Sequence, residues 1–172
     1  TRSEEFLGRA LAGRRDNALI ATKFGGPIDD ERTGGASAAY VVRACDDSLR
    51  RLGTDRIDLY QVHFPDQATP LEETLGALDE LVRAGKVREI GCSNFSAEMI
   101  EESARISATN GWARFVSVQN EYSLLRRGPE KQGVLAACAK HDVAFIPYFP
   151  LASGVLSGKY KRGVAPPAGT RL

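Results

Sequence analysis

Five apolar runs in this chain end on residues that can carry charge or exchange hydrogen bonds. The ends are Lys23, His63, the pair Ser93 and Asn94, the pair Gln119 and Asn120, and Tyr148. An ammonium and an imidazole can move protons or stabilise a developing oxyanion. Side-chain amides and hydroxyls can meet both the donors and the acceptors of a polar ligand. A lysine ending a strand is equally a candidate Schiff-base nucleophile. One polar strand end is unremarkable. Five matter only if the fold carries them to one place.

The elements that would do so alternate along the chain. Residues 3–13, SEEFLGRALAG, set Phe6, Leu7, Ala10 and Leu11 on one helical stripe, with Ser3 as N-cap and Gly13 as stop. ALIATKF reads as a strand. SAAYVVRACDDSLRRLG follows as a helix with Val41, Cys45, Leu49 and Leu52 at helical spacing, ending on Gly53. DRIDLYQVH is the next strand. TPLEETLGALDELVRAGK has the clearest helical pattern: Leu71, Leu75, Leu78, Leu81 and Val82 form the stripe, Thr69 and Glu72 a capping box, Pro70 sits at N1 and Gly85 closes it. VREIGCSN, FVSVQN and VAFIPYF read as further strands, separated by helices that start near Ser96 and Glu130.

Regular helix–strand alternation without repeats implies parallel strands joined by right-handed crossovers. Period-two alternation puts Leu19, Ala21 and Lys23 on one strand face, and likewise Leu59, Gln61 and His63. Five polar ends are what the C-terminal mouth of a (β/α)8 TIM barrel supplies, where catalytic side chains come from several strands. No GxGxxG follows a strand, which weakens the doubly wound alternative. GGPIDDERTGG, after the first strand, is too loose for a phosphate fingerprint and reads as a mobile loop.

Composition narrows the partners. Lys plus Arg number 23 against 22 Asp plus Glu, a net charge of +1, so nothing draws the chain to nucleic acid or an anionic membrane. No apolar run approaches the ~18 residues of a membrane span. Cys45, Cys92 and Cys138 are widely spaced, without metal-ligand spacing, and are expected to be reduced, mostly buried thiols of a cytoplasmic protein. Glu72, Glu73, Asp79 and Glu80 read as a solvated helix face, Trp112 as a packing plug and His141 as solvated. Phe24 and Phe64 stand between simple packing and a place in a substrate pocket.

SEEFLGRAL, ATKFG, DLYQVHFPD, GKVREIGCSNF, SVQNEYSLL and PYFPLASGVLSGKY, in this order and spacing, resemble the aldo-keto reductases. The resemblance covers nearly the whole chain. It implies a TIM barrel of which about five strands, the family's third to seventh, are represented, so that residues 1–172 form a single barrel domain incomplete at both ends. It further implies reduction of an aldehyde or ketone by hydride transfer from NADPH, with NAD as an alternative cofactor and no metal.

By the same resemblance Lys23 matches the lysine beside the family's proton-donating tyrosine. A cation ~4 Å from a forming phenolate is worth ~4 kcal/mol at an effective dielectric near ~20. That would lower a tyrosine pKa by about two to three units. His63 matches the residue that hydrogen-bonds the substrate carbonyl. Ser93, Asn94 and Gln119 match the cluster around the nicotinamide carboxamide, and Tyr148 the aromatic that stacks on its ring. Leu151, Ser153 and Lys159 match a loop over the pyrophosphate. Ser93 and Asn94 have a plainer alternative as caps of the following helix.

The family's tyrosine, and the aspartate that pairs with its lysine, fall upstream of SEEFLGRAL. Tyr40, Tyr60, Tyr122 and Tyr160 lie elsewhere in the pattern. Residues 1–172 alone are therefore expected to be inactive and poorly folded. Two other functions fit the same residues: a nicotinamide-binding regulatory subunit without catalysis, and a Schiff-base aldolase using Lys23.

Overall fold

A computed structural model of the chain describes residues 2–26, 34–161, 163–166 and 168–169. Five strands, β1 (Ala21–Phe24), β2 (Ile57–Val62), β3 (Val87–Ser93), β4 (Phe115–Glu121) and β5 (Ala144–Tyr148), form one parallel sheet in the order 1-2-3-4-5. Helices α1 (Arg2–Leu11), α2 (Ala38–Leu52), α3 (Leu71–Arg83), α4 (Ala97–Asn110), α5 (Gly128–Lys131) and α6 (Val134–His141) alternate with them. Sequential parallel strands linked by helices are the pattern of a (β/α)8 barrel wall. Most of the loop 25–35, residues 27–33, lies outside the described residues. No helix among the described residues is long and apolar enough to cross a membrane.

The main core lies between the sheet and the helices. Tyr60 and Val62 of β2, Ile90 and Cys92 of β3 and Val118 of β4 meet Val41 and Cys45 of α2, Leu75 and Leu78 of α3 and Ile100 of α4, all essentially fully buried. Each large aliphatic side chain so removed from water contributes ~1.5–3 kcal/mol. The stripes of α2 and α3 thus behave as their spacing predicts. Leu81 is buried, Leu49, Leu71 and Val82 pack at the margin, and all three cysteines are free and buried. Trp112 packs against the core as a plug over Gly76. Gly53 adopts φ 62 as the C-cap of α2, a left-handed position that a β-carbon disfavours.

Several local expectations are corrected. Ser3 lies inside α1 and does not cap it, and Phe6 and Leu7 are exposed. The buried residue of that helix is Glu4, bonded to Thr22 and Arg51. The Thr69–Glu72 capping box does not form. Thr69 donates instead to Asp66 at 2.8 Å, and Pro70 is itself the cap of α3, not its first helical residue. Asp79 does not face solvent; it is buried, accepts the Ala113 N–H at 2.9 Å and pairs with Arg83. A carboxylate on the packed side of α3 thereby ties down the chain after α4. His141 is half-buried with its Nε2 enclosed and unbonded, so it is not simply solvated. For Phe24, where two readings stood open, packing is the outcome: it is a core residue behind the sheet, its ring 4.7 Å from that of Tyr60.

Candidate functional site

The register decides which side chains share the face away from the helices. Lys23 pairs with Gln61, Gln61 with Gly91 and Gly91 with Ser117; one level higher, Ser93 pairs with Gln119. At the top, Glu121 pairs with Tyr148. Parallel neighbours point to the same side, so Lys23, Gln61, Ser93, Gln119 and Tyr148 line one face near one end of the sheet. His63 stands just past the last paired residue of β2, two residues on from Gln61.

His63 is fixed by its backbone on both sides. Its N–H donates to the Phe24 carbonyl at 2.7 Å, and its own carbonyl accepts from Asn94 Nδ2 at 2.9 Å. The imidazole stacks on Phe64, with ring centroids 4.3 Å apart. Gly26 lies against the ring, because a β-carbon there would come within 2.9 Å of His63 Nδ1. Burial, and after it the positive charge of Lys23, hold the imidazole below its ordinary pKa of 6.5. His63 is therefore neutral at neutral pH, with one ring nitrogen donating and the other accepting. Burial likewise holds the Lys23 ammonium below the usual lysine value.

Asn94 is the hub. At φ 61 it occupies the left-handed region that asparagine tolerates better than most residues. From there its Nδ2 reaches the His63 carbonyl and also Ser93 Oγ at 3.2 Å, while its Oδ1 accepts the Tyr148 hydroxyl at 2.8 Å. Ser93 Oγ donates to the Gln119 carbonyl at 2.6 Å, which also accepts the Asn94 N–H at 3.1 Å. Four strand ends are joined in this way. Neither Ser93 nor Asn94 caps the next helix; Ser96 does, accepting from Met99 N.

Both Nδ2 hydrogens of Asn94 are thus committed within the protein. The side-chain amide of Gln119 makes no hydrogen bond among the described residues, and Ser93 Oγ retains an acceptor site. Tyr148 lines an open groove of ≈ 560 Å³ with Asn94, Asn120, Arg126 and Lys131. Asn120 Oδ1 is buried and unbonded, although its Nδ2 clamps the Phe95 carbonyl at 2.9 Å.

Leu151, Ser153 and Lys159 come together elsewhere. They line a cavity of ≈ 490 Å³ with Phe149, Pro150 and Gly154 in the segment after β5. Phe149, Ala152 and Ser153 there all have positive φ, 52°, 47° and 56°. Backbone held in that region outside glycine is a recurrent feature of ligand clamps. The Lys159 ammonium lies over the Tyr160 ring at 4.9 Å.

The structure thus gathers Lys23, His63, Ser93, Asn94, Gln119 and Tyr148 at one end of the sheet and sets the other three in an adjoining loop. The roles of Gly26 against His63 and of Asn120 as a backbone clamp were not foreseen. The glycine pair directly after the first strand was the available signal for Gly26; Asn120 was legible as a polar strand end, but nothing in the sequence marks it as a clamp on the Phe95 carbonyl.

Comparison with known proteins identifies the family. The model of the Aldo/keto reductase family matches residues 1–171. An NADP(+) aldo-keto reductase of Schizosaccharomyces pombe is 39% identical over 166 residues, 92% of this chain and 47% of that protein. The L-glyceraldehyde 3-phosphate reductase of Escherichia coli is 34% identical over 172 residues, 94% of this chain and 48% of that protein. A probable voltage-gated potassium channel subunit beta of Arabidopsis thaliana is 34% identical over 170 residues, 96% of this chain and 51% of that protein. The chain spans about half the length of the curated relatives it matches.

Proposed function

The chain belongs to the aldo/keto reductase family, and from that premise we propose that the whole protein reduces an aldehyde or ketone to an alcohol with NADPH, or runs the reverse reaction, NAD being the alternative cofactor. The observation that carries the reading is the bonded path from His63 through Asn94 to Tyr148, with Lys23 close enough to act on His63. It supports a site that orients a carbonyl beside a flat ring.

The residues fit a nicotinamide nucleotide. Gln119 has an uncommitted amide and Ser93 an uncommitted acceptor, which together suit a carboxamide. Asn94 fixes the Tyr148 hydroxyl, so the phenol ring is a platform of set orientation for a stacked ring. Leu151, Ser153 and Lys159 line a cavity where a cation suits pyrophosphate oxygens. A bound nicotinamide nucleotide supplies the hydride.

The neutral His63 donates a ring N–H to the substrate carbonyl oxygen and aims its carbon. Lys23 holds its charge where the family pattern brings a tyrosine hydroxyl from upstream of residue 3. The proton passes from that hydroxyl to the carbonyl oxygen, and the Lys23 ammonium stabilises the phenolate left behind. Holding the reactants in this geometry is the larger part of what such a site does.

The potassium-channel relative favours a second reading, in which the nucleotide is bound without turnover. One experiment separates the two. The full-length protein is titrated with NADPH by fluorescence quenching, and then given a panel of small aldehydes. Consumption of reduced cofactor that depends on the aldehyde supports the reductase. Tight binding without consumption supports the regulatory subunit. No binding refutes both.

A further inference from the structure

Three polar groups that find no partner among the described residues share one register row beneath His63. Among those residues Lys23 Nζ makes no hydrogen bond or ion pair, Gln61 Nε2 is enclosed and unbonded, and so is Ser117 Oγ. Their residues stand side by side as Lys23–Gln61–Gly91–Ser117 across β1, β2, β3 and β4. Gln61 and Ser117 are each 3% exposed, and the two atoms in question are covered by this chain itself. A buried amide N–H without a partner costs ~1–3 kcal/mol. The levels below on β2 carry Leu59 and Ile57, so an aliphatic residue would serve packing at this level as well.

Gly91 keeps the row open. A β-carbon there would lie 2.6 Å from Ser117 Oγ, 3.0 Å from the Ser117 carbonyl and 3.2 Å from Gln61 Cγ. Both side chains therefore lean into the space above the glycine. The donors and acceptors also match in one direction only. An ammonium donates, an amide carbonyl accepts, an amide NH2 donates and a hydroxyl accepts.

We propose that Gln61 is a positioning residue for Lys23, its Oε1 accepting a hydrogen bond from the ammonium while its Nε2 donates to Ser117 Oγ across the gap over Gly91. The inference rests on the role assigned to Lys23 in the proposed reduction. It extends the site one level down into the sheet and gives Gln61 a part in placing the charge. The other titratable groups on this face are His63 on β2 above the row, Glu89 on β3 below it, and Glu121 and Tyr148 at the ends of β4 and β5.

Lys23 can be titrated directly in the full-length protein, by following its reaction with an amine-selective reagent against pH by mass spectrometry. Removing an acceptor from the charged form lowers the midpoint, so Gln61→Leu should move Lys23 down by about one pH unit. Ser117→Ala should move it less, in the same direction. With NADPH and an aldehyde substrate, Gln61→Leu should lower kcat about tenfold while NADPH affinity stays unchanged. Should Gln61→Leu fail to fold, Gln61→Asn, whose amide stops one methylene short, should give the same downward shift, and Gln61→Glu an upward one. An unshifted Lys23 midpoint in a folded Gln61→Leu or Gln61→Asn protein overturns the proposal, as does loss of melting temperature with an unaltered midpoint. The titration needs no turnover, so a wild-type protein that reduces no carbonyl counts against the reductase reading and leaves this test to be decided by itself.

Discussion

Replacing Asn94 should loosen the candidate site and the barrel wall together. The substitution Asn94→Ala deletes three hydrogen bonds: Nδ2 to the His63 carbonyl at 2.9 Å, Nδ2 to Ser93 Oγ at 3.2 Å and Oδ1 from Tyr148 at 2.8 Å. At ~1 kcal/mol each, discounted because water reaches this half-buried residue, they amount to ~2 kcal/mol. Alanine at φ 61 adds ~1 kcal/mol of backbone strain that asparagine largely avoids. Asn94→Ala in the full-length protein should therefore lose ~3 kcal/mol. Asn94→Gly, which loses the bonds without that strain, should lose less. Urea unfolding measures both, and the gap between them isolates the backbone term. Cofactor affinity should also fall, because the Tyr148 ring is no longer held by its hydroxyl. A loss below ~0.5 kcal/mol in both variants would refute the reasoning, since surface substitutions commonly stay within that range.

Further expectations follow from the charged groups. Asp58 is pushed up by burial, but the Ile20 N–H and the Arg15 and Arg88 guanidiniums outweigh that and hold its carboxyl below the ordinary 3.8. A depressed folded value means stability present above the unfolded pKa and lost as pH falls through the folded one. Asp58→Asn should therefore cost ~2–3 kcal/mol at neutral pH by leaving Arg15 unpaired. Comparing urea midpoints of variant and wild type at neutral and strongly acidic pH should show the difference shrinking as acid is added. For His63, Lys23→Met should raise the imidazole pKa only partway towards 6.5, because burial, the larger cause, remains. Histidine NMR titration reads this, and an unmoved value would mean that the two side chains do not face one another.

The alternation of elements and the strand ends were legible because both follow from local periodicity. Leu75, Leu78 and Leu81 are buried as their spacing requires, and the lumen-facing parity of Lys23, Gln61 and His63 follows from the pleat. Parity also puts Phe24 behind the sheet with Tyr60, a consequence that its nearness to Lys23 obscured. What sequence could not give is the identity of long-range partners. Asp79 looks like any acidic residue on α3 until Ala113, in the α4–β4 connection, presents an N–H to it. Thr69 has the pattern of a cap, yet Asp66 competes for its hydroxyl and wins. Asn94 was placed at the site, but not the fact that its amide is spent on His63 and Ser93.

The central claim is that His63 orients a carbonyl for hydride transfer without holding the cofactor. It is tested by replacing His63 with alanine in the full-length protein and measuring, on one preparation, NADPH affinity by fluorescence quenching and aldehyde-dependent NADPH consumption. The account predicts consumption reduced by about a hundredfold or more, within the range assigned to a positioned acid–base group, with affinity unchanged. Consumption that survives the substitution, or affinity that falls in step with it, would contradict the account.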